Sequence, residues 1–331
     1  MSISEFLWTA AQSIPRKALP LLTFPGAKKL QIRVDELVKD PALYAQTMKL
    51  IADETPTVAA VSLMDLSVEA EAFGAEVRFS AEEVPAVVGK VISTLDQAQA
   101  LAIPSLEEGR LSVCIEGVRL AKEQIQGKPV LAGMIGPYSL AGRLMDVTEI
   151  MYYCFDEPDM VHVVLNKVTD FLVRYGNAMK RVGADGIIVA EPLTGILSPD
   201  LAREFSMPYV KRVIDALQEE NFGIIYHNCG NSVGSMLSDI FNLGATAYHF
   251  GNAVDIEAVL QQAPASALCM GNIDPAAEFV QGTPESIAEA TKRLVNQCDK
   301  HQNFIPSSGC DIPYNADWKN IDAFFSALMN P

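Results

Sequence analysis

Residues 221–231 read Asn-Phe-Gly-Ile-Ile-Tyr-His-Asn-Cys-Gly-Asn, an apolar run that ends in a histidine and a cysteine two positions apart. On an extended strand, positions i and i+2 share a face about 6.6–6.8 Å apart. His227 and Cys229 can therefore converge on one ion, with zinc–nitrogen bonds of about 2.1 Å and zinc–sulfur bonds of about 2.3 Å. The pair also reads as a buried cysteine beside a hydrogen-bonded histidine. Far downstream, Ser307-Ser308-Gly309-Cys310-Asp311 places another cysteine after another apolar run. If both segments end at one mouth, His227, Cys229 and Cys310 make three protein ligands with one position open, the pattern of a catalytic zinc. Cys310 reads otherwise as a small residue in the turn after Gly309.

The elements that must bring these residues together follow a regular rhythm. Strand-like runs fall at 57–63, 129–134, 186–191, 222–226, 245–250, 267–271 and 303–307, with a weaker piece at 75–80. Helical stretches fall between them: Pro41 to about Asp53, a helix reaching Gly74, 81–128 with interruptions, 159–182, and Pro199 to about Glu220. Short apolar strands alternating with helices imply an α/β fold with a parallel sheet. About eight strands in one chain without a linker favour a (β/α)8 TIM-type barrel, forming a single domain over 1–331. About 55 residues at the start form an N-terminal helical extension, whose first 30, broken by Pro15, Pro20 and Pro25, suggest a short helix and an extended cover. No Gly-x-Gly-x-x-Gly or phosphate-loop motif supports a nucleotide fold.

In such a barrel, reactive residues belong at the C-terminal ends of the strands. The polar residues expected there are Asp65, Glu191, Asn228, His249, Asn272 and Asp274, with Asp311 next to Cys310. Glu191 is a candidate labile fourth ligand or proton acceptor, and equally a carboxylate satisfied by backbone N–H groups. His249, inside an apolar strand, reads as a hydrogen-bonded core residue, and Asp274 before Pro275 as a turn cap. Tyr138, Tyr248, Phe250 and Met270 could line an apolar approach to the mouth.

The order Asp65-x-Ser-x-Glu-Ala70, His227-x-Cys-Gly230, Gly271-Asn-Ile-Asp-Pro275 and Ser308-Gly-Cys-Asp-Ile-Pro313 resembles the uroporphyrinogen decarboxylase superfamily over nearly the whole chain. Within it, the His-x-Cys plus distant Cys set resembles the cobamide-dependent methyltransferase branch, typified by methylcobamide:coenzyme M methyltransferases. The resemblance implies a zinc site formed by His227, Cys229 and Cys310, and a substrate role for Asp65. It further implies transfer of a methyl group from a methylcobamide, held by a corrinoid carrier protein, to a small thiol or folate-type acceptor. Asn228, Asn231, Ser232, Asn272, Asp274 and Tyr138 are the candidates for substrate contact. An acceptor's sulfonate could rest on N–H groups at a helix beginning near Asn231-Ser232, with Arg143 following the Gly136-Pro137-Tyr138 loop as another anionic-group partner. Carrier domains hold cobalt through an Asp-x-His-x-x-Gly loop; Asp299-Lys-His301 lacks the glycine, so the corrinoid is expected on the partner.

True decarboxylases carry Arg-Gln-Ala-Gly-Arg-Tyr near the N-terminus, where this chain reads Ser13-Ile-Pro-Arg-Lys-Ala-Leu-Pro20. A decarboxylase-type lyase, or a non-catalytic barrel that binds a corrinoid or a partner, remains the alternative. With 49% apolar and 20% charged residues the chain reads as globular. A net charge of −16 disfavours nucleic acid and anionic membranes. Six scattered cysteines without a leader-like start suggest reduced thiols and a cytoplasmic protein.

Overall fold

The computed structural model describes residues 1–329. The strands are β1 (Ala60–Val61), β2 (Glu76–Arg78), β3 (Ala86–Val88), β4 (Val130–Ile135), β5 (Gly186–Ala190), β6 (Gly223–Asn228), β7 (Ala247–Phe250), β8 (Cys269–Ile273) and β9 (Phe304–Ser308). Seven of them form one sheet in the order β1-β4-β5-β6-β7-β8-β9, every pair parallel. Helices cover its outer face, among them Pro41–Glu54, Leu111–Gln124, Pro158–Arg181, Met207–Leu217 and Pro284–Gln297. This is the α/β barrel architecture expected from the alternation of elements.

The eighth stave is not the expected one. The piece at 75–80 forms β2, which pairs antiparallel with β3 as a separate hairpin. Its charged Glu76 and Arg78 are exposed, and such residues do not fit a strand buried on both faces. The stretch 81–128, expected to be helical with interruptions, opens with this hairpin and becomes helical only at Leu95–Ala100 and Leu111–Gln124.

The gap between β9 and β1 is instead filled by the extended segment Ala18–Thr23. Leu19 N–H donates to the Pro306 carbonyl (3.0 Å), and Val58 N–H to the Ala18 carbonyl (2.9 Å). Leu21 N–H donates to Ser308 Oγ (3.0 Å), and Thr23 Oγ1 donates to the Val61 carbonyl (2.6 Å). The expected extended cover of the N-terminal extension is therefore part of the wall.

Side chains alternate across each strand, and the apolar core divides accordingly. Leu131, Ile188, Ala190, Ile225, Ala247, Leu268, Met270 and Ile305 pack inside the ring, joined by Leu19 and Leu21 of the closing segment. Their neighbours Val130, Ile187, Ile224 and Tyr248 face the helices. The floor of the ring is closed by the first helix, Ile3–Ala11, which adds Ile3, Leu7, Ala10 and Ala11 to the inner cluster. Ser2 starts that helix with a capping box: its hydroxyl accepts from Glu5 N–H, and the Glu5 carboxylate accepts from Ser2 N–H. Among the described residues no helix is long and apolar enough to cross a membrane.

Leu7 is fully buried in this plug. Leu7→Ala should cost about 2–5 kcal/mol, measured as a lower urea midpoint with an unchanged m-value. A loss below about 1 kcal/mol would mean that the helix does not seal the ring.

Candidate metal centre

The strand β6 is built from the β-branched pair Ile224-Ile225 and an aromatic, and it runs two residues further than its apolar run, through His227 and Asn228. Alternation decides which of these side chains meet. Ile225, Ala247 and Ile305 face inward, so His227, His249 and Ser307, each two residues on, stand on the same inner face one level higher. His227 and His249 are also direct partners in the β6–β7 register. Cys229, two beyond His227, continues this face as the chain leaves the strand. Cys310 arrives from the turn after β9, where Gly309 N–H donates to the Ile273 carbonyl (2.6 Å). The ligand atoms of His227, Cys229 and Cys310 all lie within 4.8 Å of one another. Close backbone packing holds the loop: a methyl group on Gly251 would stand 2.5 Å from the Cys229 Cα.

The direction of each proton around His227 follows from hydrogen-bond accounting. Ser307 has one hydroxyl proton and donates it to the Leu19 carbonyl (2.7 Å). Its oxygen therefore accepts from His249 Nε2–H (2.7 Å). Burial, and next the nearby His227, hold His249 well below the ordinary histidine pKa, so its ring is neutral and its Nδ1 carries a lone pair. His227 Nδ1–H donates to that lone pair (2.8 Å), which leaves His227 Nε2 unprotonated, 3.7 Å from Cys310 Sγ. The two thiols are coupled. A hydrogen bond from Cys310 brings the Cys229 pKa down to about 7. The same bond, then burial, pushes Cys310 up to about 12. The pair gives up its first proton readily and holds the second.

One imidazole lone pair and two sulfurs are a donor set that suits zinc. A dication supplies what the pair needs to lose its second proton, because a coordinated thiol is deprotonated outright. The second ring nitrogen of His227 already has the acceptor that metal-bound histidines use. The residues fit the ion.

The other expected site residues are placed differently. Ala190 faces inward, so Glu191 points outward, away from the donor set. Its buried carboxylate accepts from Tyr138 N–H (2.8 Å), Ser139 N–H (3.3 Å), Ser139 Oγ (3.1 Å) and Thr194 Oγ1 (2.8 Å), anchoring the start of the helix Pro137–Met145. Burial outweighs these donors and raises its pKa to about 7. Tyr138 is buried against Cys154 (3.7 Å). Asn228 spans Tyr226 Oη (3.0 Å) and Gly230 N–H (3.0 Å). Asn272 donates to the Gly251 and Val254 carbonyls (2.9 and 2.8 Å).

Asp274 caps the next turn through Ala276 and Ala277 N–H and accepts from Asn252 (2.8 Å). Asn231 and Ser232 line a cavity of about 350 Å³ beside the helix Ile256–Gln262. The helix expected to start at Asn231 is only a 3-10 turn, Val233–Ser235, with Gly234 at its centre; it offers no long dipole to an anion. Asp65 forms a buried ion pair with Arg110, which also holds Ser67 Oγ (2.7 Å) and Glu71 (2.6 Å).

Residues 13–330 match the uroporphyrinogen decarboxylase (URO-D) family. The chain belongs to that family. Among its relatives, the methylcobamide:CoM methyltransferase MtbA of Methanosarcina acetivorans is 30% identical over 303 residues, covering 88% of each chain. The uroporphyrinogen decarboxylase of Xylella fastidiosa is 28% identical, covering 78% of this chain and 75% of its own. A solved methyltransferase from Methanosarcina mazei shares the fold, with TM-score 0.87 and 22% identity over 100% of this chain and 99% of that one. The corrinoid methyltransferase resemblance thus extends along the URO-D fold, which both kinds of relative share.

Sequence reasoning missed His249 as the partner of His227, Ser307 as the partner of His249, and Arg110 and Glu69 beside Asp65. For the first two a signal existed: each sits two residues past an inward apolar residue, at the level of His227. For Arg110 there was none, since its contacts to Asp65 and Glu71 span 45 and 39 positions.

Glu69 is buried, with Oε1 accepting from Ile135 N–H (3.1 Å) and Oε2 without a hydrogen-bond partner among the described residues. Burial pushes its pKa from 4.5 up to about 7. Between about pH 4.5 and 7 the folded chain therefore keeps a proton that the unfolded chain has lost. Stability falls as pH rises through that window, by up to about 1.4 kcal/mol per pH unit for one such group. Glu69→Gln should make the decline in urea midpoint shallower; an unchanged slope would mean that Glu69 is ionised throughout.

Proposed function

We propose that this URO-D family member is a methyltransferase that moves a methyl group from a methylated corrinoid, carried by a partner protein, to a small thiol acceptor. Zinc held by His227, Cys229 and Cys310 is its cofactor. The observation that carries the reading is the convergence of one unprotonated imidazole nitrogen and two thiols within 4.8 Å at the barrel mouth. The methylcobamide:CoM methyltransferase relatives lend it the reaction class.

A zinc ion held by His227, Cys229 and Cys310 would supply the positive charge that lets an acceptor thiol ionise near neutral pH. The protein's own groups prepare that position. Cys229 and Cys310 bring two negative charges once both are deprotonated, which keeps an acceptor sulfur electron-rich. His249 holds His227 in the one tautomer that turns Nε2 toward the sulfurs. The apolar inner layer of Ile225, Ala247, Met270 and Ile305 lies directly beneath and keeps water from reaching the centre from below. Glu191 takes a supporting role: it fixes the helix start at Tyr138 and Ser139, and Thr194 of the next loop with it.

The decarboxylase reading is weaker on two specific observations. Arg16, the arginine of the N-terminal stretch where decarboxylases carry their arginine pair, donates to the Ala11, Phe304, Asp299 and His301 carbonyls. These lie at the end of the first helix and at and just before the start of β9, at the floor of the barrel. Asp65 is engaged by Arg110.

Protein purified without added metal should contain about one zinc per chain, and Cys229→Ser and Cys310→Ala should lose both zinc and thiol methylation from a methylated corrinoid. Because the ligands lie beyond the apolar layer, both variants should stay folded, with only the stability change of a lost ligand. Metal-free, active wild type would remove the basis of the proposal, and variants that unfold on purification would make the zinc structural. Ser307→Ala removes the acceptor that orients His249. It should weaken zinc binding by about ten- to hundredfold in competition with a chromogenic chelator, and an unchanged affinity would show that the His249 tautomer is set elsewhere.

A further inference from the structure

The six cysteines differ in access. Cys114, Cys154, Cys269 and Cys298 are buried, whereas Cys229 and Cys310 are partly exposed. Those two are also the pair that the fold brings together. Their strands, β6 and β9, are separated in the sheet by β7 and β8, yet their sulfurs lie within 4.8 Å of each other. A sulfur–sulfur bond is about 2.05 Å long, so closing it asks for less than about 3 Å of sulfur movement. Exchange with a small reagent needs a thiol that the reagent can reach, and the two reachable thiols are the two that can meet.

Their proximity is built into the loops. The strand β6 ends at Asn228 and β9 at Ser308, so both cysteines stand just beyond the ladder. Both loops rest on one turn, Gly251-Asn252 after β7. Gly251 N–H donates to the Asn228 carbonyl (3.1 Å), and a methyl group on Gly251 would stand 2.6 Å from the Cys229 Cβ. On the other side, a methyl group on Gly309 would stand 2.6 Å from the Asn252 backbone nitrogen. The turn is itself tied down, because Asn272 donates to the Gly251 carbonyl (2.9 Å) and Asn252 donates to the Asp274 carboxylate (2.8 Å). With the backbone held on both sides, the remaining freedom is rotation of each cysteine between its staggered wells.

We infer that Cys229 and Cys310 are a site of reversible disulfide formation, with a small-molecule disulfide as oxidant. One cysteine thiolate attacks a sulfur of the small disulfide, whose S–S bond breaks and releases one thiolate. The other cysteine then attacks the mixed disulfide, forms the Cys229–Cys310 bond and expels the second thiolate. Two electrons pass to the small disulfide, and the two cysteine protons end on the two thiols released. Resting on the zinc reading above, this exchange is a switch. A disulfide sulfur carries no negative charge for a dication, so the oxidised chain keeps only His227 of the three ligands. On the same reading the acceptor is itself a small thiol, and an excess of it reverses the exchange and restores the donor set.

The test uses the full chain, treated with a chelator and then with bis(2-hydroxyethyl) disulfide. The thiol count of the denatured protein should fall by two from the six that the chain contains. Its intact mass should fall by two hydrogens, and peptide mapping should join the segments holding Cys229 and Cys310. Dithiothreitol should return every thiol. Cys229→Ser and Cys310→Ser should each stop at one mixed disulfide on the cysteine that remains. Wild-type thiols that all stay free, or a bridge that maps to any of the buried cysteines, would overturn the inference. Zinc bound beforehand should prevent the loss of thiols, and the oxidised chain should no longer hold zinc against a chromogenic chelator. A Cys229–Cys310 bridge that forms equally fast with zinc present would support the disulfide site and overturn the zinc reading. A chain that closes and reopens this bridge but methylates no thiol would support the site and overturn the methyl-transfer reading alone.

Discussion

Three side-chain groups in a row connect the main chain at Leu19 to the sulfur-facing edge of His227. Ser307 donates to the Leu19 carbonyl, His249 donates to Ser307, and His227 donates to His249. Each member has one proton to give and one lone pair to offer, so the direction of every bond is dictated by the carbonyl at the end. The lone pair of His227 Nε2 is the remainder of that accounting. The same carbonyl belongs to the segment that closes the ring between β9 and β1. Closure of the barrel and orientation of His227 are thus one structural event.

The rest of the mouth shows how few polar groups are left over. Asn228, Asn272 and Asp274 are committed to loop carbonyls and N–H groups, and Asp65 is neutralised by Arg110. Buried polar groups that lack such partners cost free energy, which is why most strand-tip residues of a barrel serve its loops before they serve a ligand. Glu191 illustrates the rule. One step of alternation along β5 sends its carboxylate outward to a helix start, where four donors receive it. Groups with capacity to spare include His227 Nε2, the sulfurs of Cys229 and Cys310, and Glu69 Oε2.

Much of this was legible in the residues, and the limits were physical. The alternating apolar runs announced seven of the eight staves, because a parallel strand buried on both faces needs an uninterrupted apolar stretch. The eighth was misread because Ala18–Thr23 contains Pro20 and is too short and irregular to look like a strand, while 75–80 alternates like one. The convergence of His227, Cys229 and Cys310 could be inferred from where barrels put their strand ends. The place of Glu191 depended on whether the strand ended one residue earlier or later, which composition does not specify. His249 was visible only as a histidine in an apolar strand; its task emerged from the register with β6.

The closing segment has a consequence for how such a chain is made. Leu19 and Ser307 are separated by 288 positions, so the first stave to leave the ribosome must wait for the last strand before its hydrogen bonds are complete. At about 5–20 residues per second, that wait is on the order of tens of seconds. Throughout it, the edge of this segment that will face β9 stays open, and an unpaired extended edge is a template for pairing with other nascent chains. Pro20 limits the same hazard on the opposite edge, toward β1, since it offers no N–H to a neighbouring strand. Only when β9 docks does the carbonyl at Leu19 find Ser307, and at that moment the histidine at the far end of the row acquires its orientation. The orientation of His227 is therefore among the last features the polypeptide gains.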